Sequence, residues 1–118
     1  FNRIRSVCCM RYEQRREFEI MFNISYDEHG NGKGMIIAFP NGYEVSIQFG
    51  IGNYCDNRFA DKSISYKSST CETAIFKPNG KFLKYKGDDV QGWQFPEEVA
   101  ETLDYVKTLE SNNYGRVA

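Results

Sequence analysis

The stretch Gly34-Met35-Ile36-Ile37-Ala38-Phe39-Pro40-Asn41-Gly42-Tyr43-Glu44-Val45-Ser46-Ile47-Gln48-Phe49 decides the fold. An apolar run, Met35 to Phe39, meets Pro-Asn-Gly and then resumes as Tyr43 to Phe49, the pattern of a β-hairpin. Asn and Gly tolerate the positive φ that tight hairpin turns demand. In the second arm Tyr43, Val45, Ile47 and Phe49 share one face, which reads as packed. Glu44, Ser46 and Gln48 share the other, which reads as wet.

Working outward, Thr73 to Phe76 runs into Lys77-Pro78-Asn79-Gly80, and Lys81 to Tyr85 returns as a second hairpin with Phe82 and Leu83 inside. The shared Pro-Asn-Gly is explained by turn chemistry rather than duplication, because the flanking sequences differ. Upstream, Tyr26 to Gly34 holds Gly30, Gly32 and Gly34. A phosphate-cradling loop needs a helix after it, whereas a strand follows here, so this segment reads as a turn between a strand at Phe22–Tyr26 and the one at Met35–Phe39. Downstream, Pro96 suits a helix's first turn, and Glu97 and Glu98 sit at the positive end of its dipole. Val99, Leu103, Val106 and Leu109, widened by Ala100, give an apolar stripe on a helix from Pro96 to about Glu110. The sole tryptophan, Trp93, reads as an anchor for the start of that helix. The expected fold class is α+β: an antiparallel β-sheet of consecutive hairpins packed against one C-terminal amphipathic helix.

The chain's 118 residues fit one domain, expected over 21–110, with a polar tail at 111–118. Residues 1–20 differ in composition. Arg3, Arg5, Arg11, Arg15 and Arg16 lie there, whereas all eight lysines follow position 32. Met21 is therefore read as the natural start, with 1–20 a translated upstream or divergent extension. The alternative is a basic arm that docks on phosphate. A formal charge of −1 gives no field to draw nucleic acid, and the longest apolar runs fall far short of a membrane span.

Chemistry-bearing residues concentrate in the long segment from Gly50 to Thr70, where no periodicity is evident. Its candidate ligand- or partner-binding residues are Asn53, Tyr54, Cys55, Asp56, Asn57 and Arg58. Such groups read hydrogen bonds and stack, although Asn and Asp equally cap their own backbone in structural loops. A nucleophilic Cys55 would need a base, and only His29 and Arg58 offer themselves. Cys8, Cys9, Cys55 and Cys71 lack a zinc spacing and read as reduced thiols, with a Cys55–Cys71 bridge the minority alternative. Asp88 and Asp89 follow Gly87 in a turn, and backbone capping explains them without a metal. No catalytic residue, metal or cofactor is expected.

The blocks Val45-Ser46-Ile47-Gln48-Phe49-Gly50-Ile51-Gly52-Asn53-Tyr54-Cys55-Asp56-Asn57-Arg58, Cys71-Glu72-Thr73-Ala74-Ile75-Phe76, Asp88-Asp89-Val90-Gln91-Gly92-Trp93 and Pro96-Glu97-Glu98-Val99-Ala100 occur in this order. They resemble small proteins encoded by bacteriophages and prophages, over about Met21 to Leu109. The resemblance implies the cytoplasm of an infected or lysogenic bacterial cell and no established activity, so no catalytic residue carries over. The expected function is a phage-type accessory protein acting as a non-enzymatic binding module through the 50–70 loop, with a host or phage protein as partner. The alternative is a nucleotide- or phosphate-binding protein, enzymatic or not, in which Arg58 holds phosphate and Tyr54 stacks on a base. Edge strands left by the hairpins leave room for a homodimer.

Overall fold

The computed structural model describes residues 20–26, 32–59 and 67–110. Among the described residues six strands form one antiparallel sheet: β1 (Met21–Tyr26), β2 (Gly32–Ala38), β3 (Glu44–Gln48), β4 (Cys71–Phe76), β5 (Phe82–Leu83) and β6 (Val90–Gln94), followed by the helix α1 (Pro96–Lys107). The sheet runs β1-β2-β3-β4-β5, and β6 also pairs with β4. The α+β architecture of hairpins and a C-terminal helix is the one the sequence pattern calls for.

Both Pro-Asn-Gly turns are built alike. Phe39 N–H donates to Tyr43 O (2.9 Å) and Gly42 N–H to Phe39 O (2.9 Å). Lys77 N–H likewise donates to Lys81 O (2.7 Å), and Gly80 N–H to Lys77 O (2.8 Å). Gly42 and Gly80 take φ of 91° and 87°, a conformation a Cβ would strain. The likeness follows from turn geometry, because Asn41 and Asn79 each accept from the N–H two residues on.

The second arms differ. β5 holds only two residues, because Lys86 and Gly87 take positive φ (53° and 91°) and reverse the chain between Tyr85 and Asp88. The register Phe76↔Phe82 and Ile75↔Leu83 puts Leu83 against the core and turns Phe82 to the opposite face. There Phe82 stays half-exposed beside Phe76, with ring centroids 4.9 Å apart, so only one of the two residues expected inside is inside.

Tyr43, Val45, Ile75 and Val106 form the core, with Phe39, Ile47, Leu83, Tyr85, Leu103 and Leu109 packed around them. The helix lies on the Val45 face. Its inward positions include Thr102 and Val106, three and seven residues after Val99, whereas Ala100 points to solvent. Thr102 satisfies its hydroxyl by donating to Glu98 O (3.1 Å). The first turn of α1 is held by Glu98, whose carboxylate accepts from Phe95 N–H (2.8 Å). At the other end Asn41 of the first hairpin turn donates from Nδ2 to Val106 O (2.8 Å) and Leu109 O (3.0 Å). One turn residue thus gives Val106 O a second donor beside Leu109 N–H (3.1 Å) and partners Leu109 O just past the helix end.

The face of β3 expected to be wet is partly covered, since Ser46 is buried and accepts from Gln48 Nε2 (2.9 Å). Expectations for the arginine-rich segment 1–19, Cys8, Cys9, the turn at 27–31 with His29, the loop residues 60–66 and the tail 111–118 lie outside the described residues.

Candidate functional site

The loop after β3 is organised by its own side chains. Asn57 Oδ1 accepts from Gly50 N–H (2.9 Å) and from the Cys55 thiol (3.1 Å), while Asn57 Nδ2 donates to Lys67 O (2.9 Å). Backbone bonds Asn53 N–H to Gly50 O, Gly52 N–H to Arg58 O and Arg58 N–H to Cys55 O, each 3.1 Å, close the loop on itself. Asp56 N–H donates to Thr70 Oγ1 (2.9 Å), and the Asp56 carboxylate accepts from Ser69. Asn53, Cys55 and Asn57 are buried, and the bonds of Cys55 and Asn57 go to the loop itself. Asn53 Nδ2 is buried with no partner among the described residues.

What the loop presents outward is Tyr54, Asp56, Arg58 and Phe59. Tyr54 lies over β6. Its N–H is accepted by Glu72 Oε1 (2.9 Å), its carbonyl accepts Trp93 N–H (2.8 Å), and its ring stacks on Trp93 at 5.7 Å between centroids. Gly92 makes this approach possible, because a Cβ there would stand 2.9 Å from the Tyr54 Cβ. The Arg58 guanidinium sits 4.6 Å from the Tyr54 ring centroid and 5.4 Å from that of Phe59, and donates to Gly52 O (3.2 Å). Tyr54 is 47 % exposed, Trp93 50 % and Phe59 91 %, so the cluster is fixed in place yet open to solvent.

Trp93 therefore steadies the loop rather than the start of the helix. Its φ of 51° turns the indole out of the strand and toward Tyr54. Beside the cluster runs a shallow groove of about 150 Å³ on the sheet face opposite α1, lined by Ser46, Gln48, Glu72, Ala74, Phe76 and Val90 among others. Glu72 borders the groove and also holds Tyr54, so groove and cluster are contiguous.

Asp88 and Asp89 do not join this surface. Asp89 pairs with Lys84 (3.5 Å) at the Tyr85–Asp88 turn and lies four residues, roughly 13 Å of strand, before Trp93. Among the described residues no group of three or more His, Cys, Asp or Glu could hold a metal ion. Cys55 and Cys71 are both free and buried. The Cys71 thiol is pushed up to about 11, first by burial, then by Cys55 and Glu72, and stays protonated at neutral pH.

Sequence reasoning singled out Tyr54 and Arg58 but not Glu72, Thr70, Gly92 or this placement of Trp93. Thr70 closes the loop just before β4, Glu72 lies in β4, Gly92 and Trp93 lie in β6, and the β4–β6 pairing brings the two strands together beside the loop. Gly92 before the lone Trp93 was the available signal, since glycine inside a strand marks a close approach. Among the described residues no helix is long and apolar enough to cross a membrane. No protein family, curated protein or solved structure matches the chain.

Proposed function

We propose that this chain is a phage-type accessory protein, a non-enzymatic module that binds a host or phage protein in the bacterial cytoplasm through Tyr54, Arg58, Phe59 and Trp93. One observation carries the reading: a Tyr–Trp–Arg cluster stands exposed where a loop locked by its own hydrogen bonds meets Trp93 of β6. These three residue types dominate the hot spots of protein interfaces. Aromatic rings held in place before binding also lose little entropy when a partner docks. The contiguous groove, with Phe76 and Phe82 at its far end, extends the surface a partner could cover.

The nucleotide alternative is less well supported, because the Tyr54 ring is already engaged by Trp93 and by Arg58, and no carboxylate pair converges on it. Capture from a bacterial lysate on the immobilised full chain tests the proposal. A protein retained by the wild type and lost with Tyr54→Ala/Trp93→Ala, both variants sharing one melting temperature, supports it. Identical capture by both, or capture by neither, refutes it.

A further inference from the structure

The helix covers only part of its side of the sheet. Phe22 and Ile24 of β1 stand opposite Ile37 and Met35 of β2, which stand opposite Val45 and Ile47 of β3. All six therefore share the face on which Val45 meets Val106. Over β3 that face is sealed by α1. Over the β1–β2 wing it is open: Phe22 is 75 % exposed, Ile24 63 %, Tyr26 59 % and Met35 41 %. Sheets with one apolar face need a second layer, and this wing has none among the described residues.

We propose that a second copy of this chain supplies that layer, the two β1–β2 wings packing face to face about a twofold axis with Ile24 near its centre. Packed sheets stand about 10 Å apart, the depth of a helix layer, so the partner's wing would lie beside α1 without a step. The surface suits a self-complementary contact because β1 (Met21–Tyr26) and Gly34–Ala38 carry no charge, and nothing like-charged is brought together across the axis. The four exposed side chains present roughly 450 Å² per copy on the usual areas of large apolar residues. Pairing two copies removes about 900 Å² before backbone and helix flanks are counted, near the ~1,000 Å² threshold for a specific interface and in keeping with a dimer that dissociates on dilution. The contact lies on the face opposite the groove and at the far edge of the sheet from β6, so it leaves Tyr54 and Trp93 free.

Light scattering on the full chain across a dilution series tests this, independently of any loop partner. The wild type is expected at twice the 13.7 kDa chain mass, falling toward one chain on dilution. Ile24→Lys and Ile24→Glu each place like charges on the axis and should raise the dimer dissociation constant at least about tenfold. Mixing the two variants should restore a dimer, which also shows that both are folded. A wild type that is monomeric throughout overturns the proposal and leaves the face to another protein or another stretch of this chain. A dimer indifferent to both substitutions overturns it as well.

Discussion

Replacing Asn57 by alanine should collapse the candidate site without touching its outward face. The amide is the spine of the loop: it accepts from Gly50 N–H and the Cys55 thiol and donates to Lys67 O. Gly50 is buried, and after truncation its N–H keeps only a long 3.4 Å contact to Cys55 Sγ. An orphaned buried N–H costs ~1–3 kcal/mol and a lost partly exposed bond ~1 kcal/mol, giving about 3 kcal/mol in all. At roughly 4 °C per kcal/mol for a domain of this size, the melting temperature should fall by about 12 °C. Calorimetry on the full chain reads this directly. The stacked Trp93 gives a second readout, since its emission should shift red as Tyr54 leaves. A fall of less than about 3 °C with unchanged emission would refute the claim that side-chain bonds, rather than the flanking strands, order this loop.

Asn41→Ala should cost about 2 kcal/mol by removing its two bonds to Val106 O and Leu109 O, and Asn41→Asp should cost at least as much, because a carboxylate there faces the negative end of the helix dipole; denaturant melts of the two variants check the order. Lys86→Asn should raise the melting temperature by roughly 2–5 °C in a scanning melt, since asparagine tolerates the positive φ of Lys86 better than lysine, and the exposed Lys86–Glu101 contact (3.8 Å) adds little. The Cys71 thiol ionises at about 11 in the fold against 9.0 ordinarily. Its contribution is therefore fully present below pH 9 and is lost as the unfolded thiol ionises between about 9 and 11. Relative to the wild type, Cys71→Ala should flatten the fall in stability over that window when melts are followed against pH.

The hairpins and the helix were legible because each rests on local chemistry: Pro-Asn-Gly turns, the alternation through Val45 and Ile47, and Pro96 ahead of two glutamates. Strand β6 was not legible. Val90-Gln91-Gly92-Trp93-Gln94 has no apolar alternation, and Trp93 breaks the strand's dihedrals, so only pairing with β4 defines it. Phe82 misled because its outward position is set by register with Phe76, a long-range fact. Within the candidate site, loop composition singled out the six residues Asn53 to Arg58 without separating the three that face inward, Asn53, Cys55 and Asn57, from the outward Tyr54 and Arg58. That division depends on which N–H groups the loop brings within reach, and spacing alone does not encode it.

Trp93 is the only tryptophan in the chain and stands in the proposed binding surface, so its emission reports on that surface alone. The full chain should be titrated with the protein captured from lysate and, separately, with a panel of nucleotides. Protein binding through the Tyr54–Arg58–Trp93 cluster predicts a saturable emission change with the captured protein, its disappearance with Tyr54→Ala, and a flat response to every nucleotide. A saturable change with a nucleotide that vanishes with Arg58→Ala would contradict the account and make the loop a phosphate-binding site.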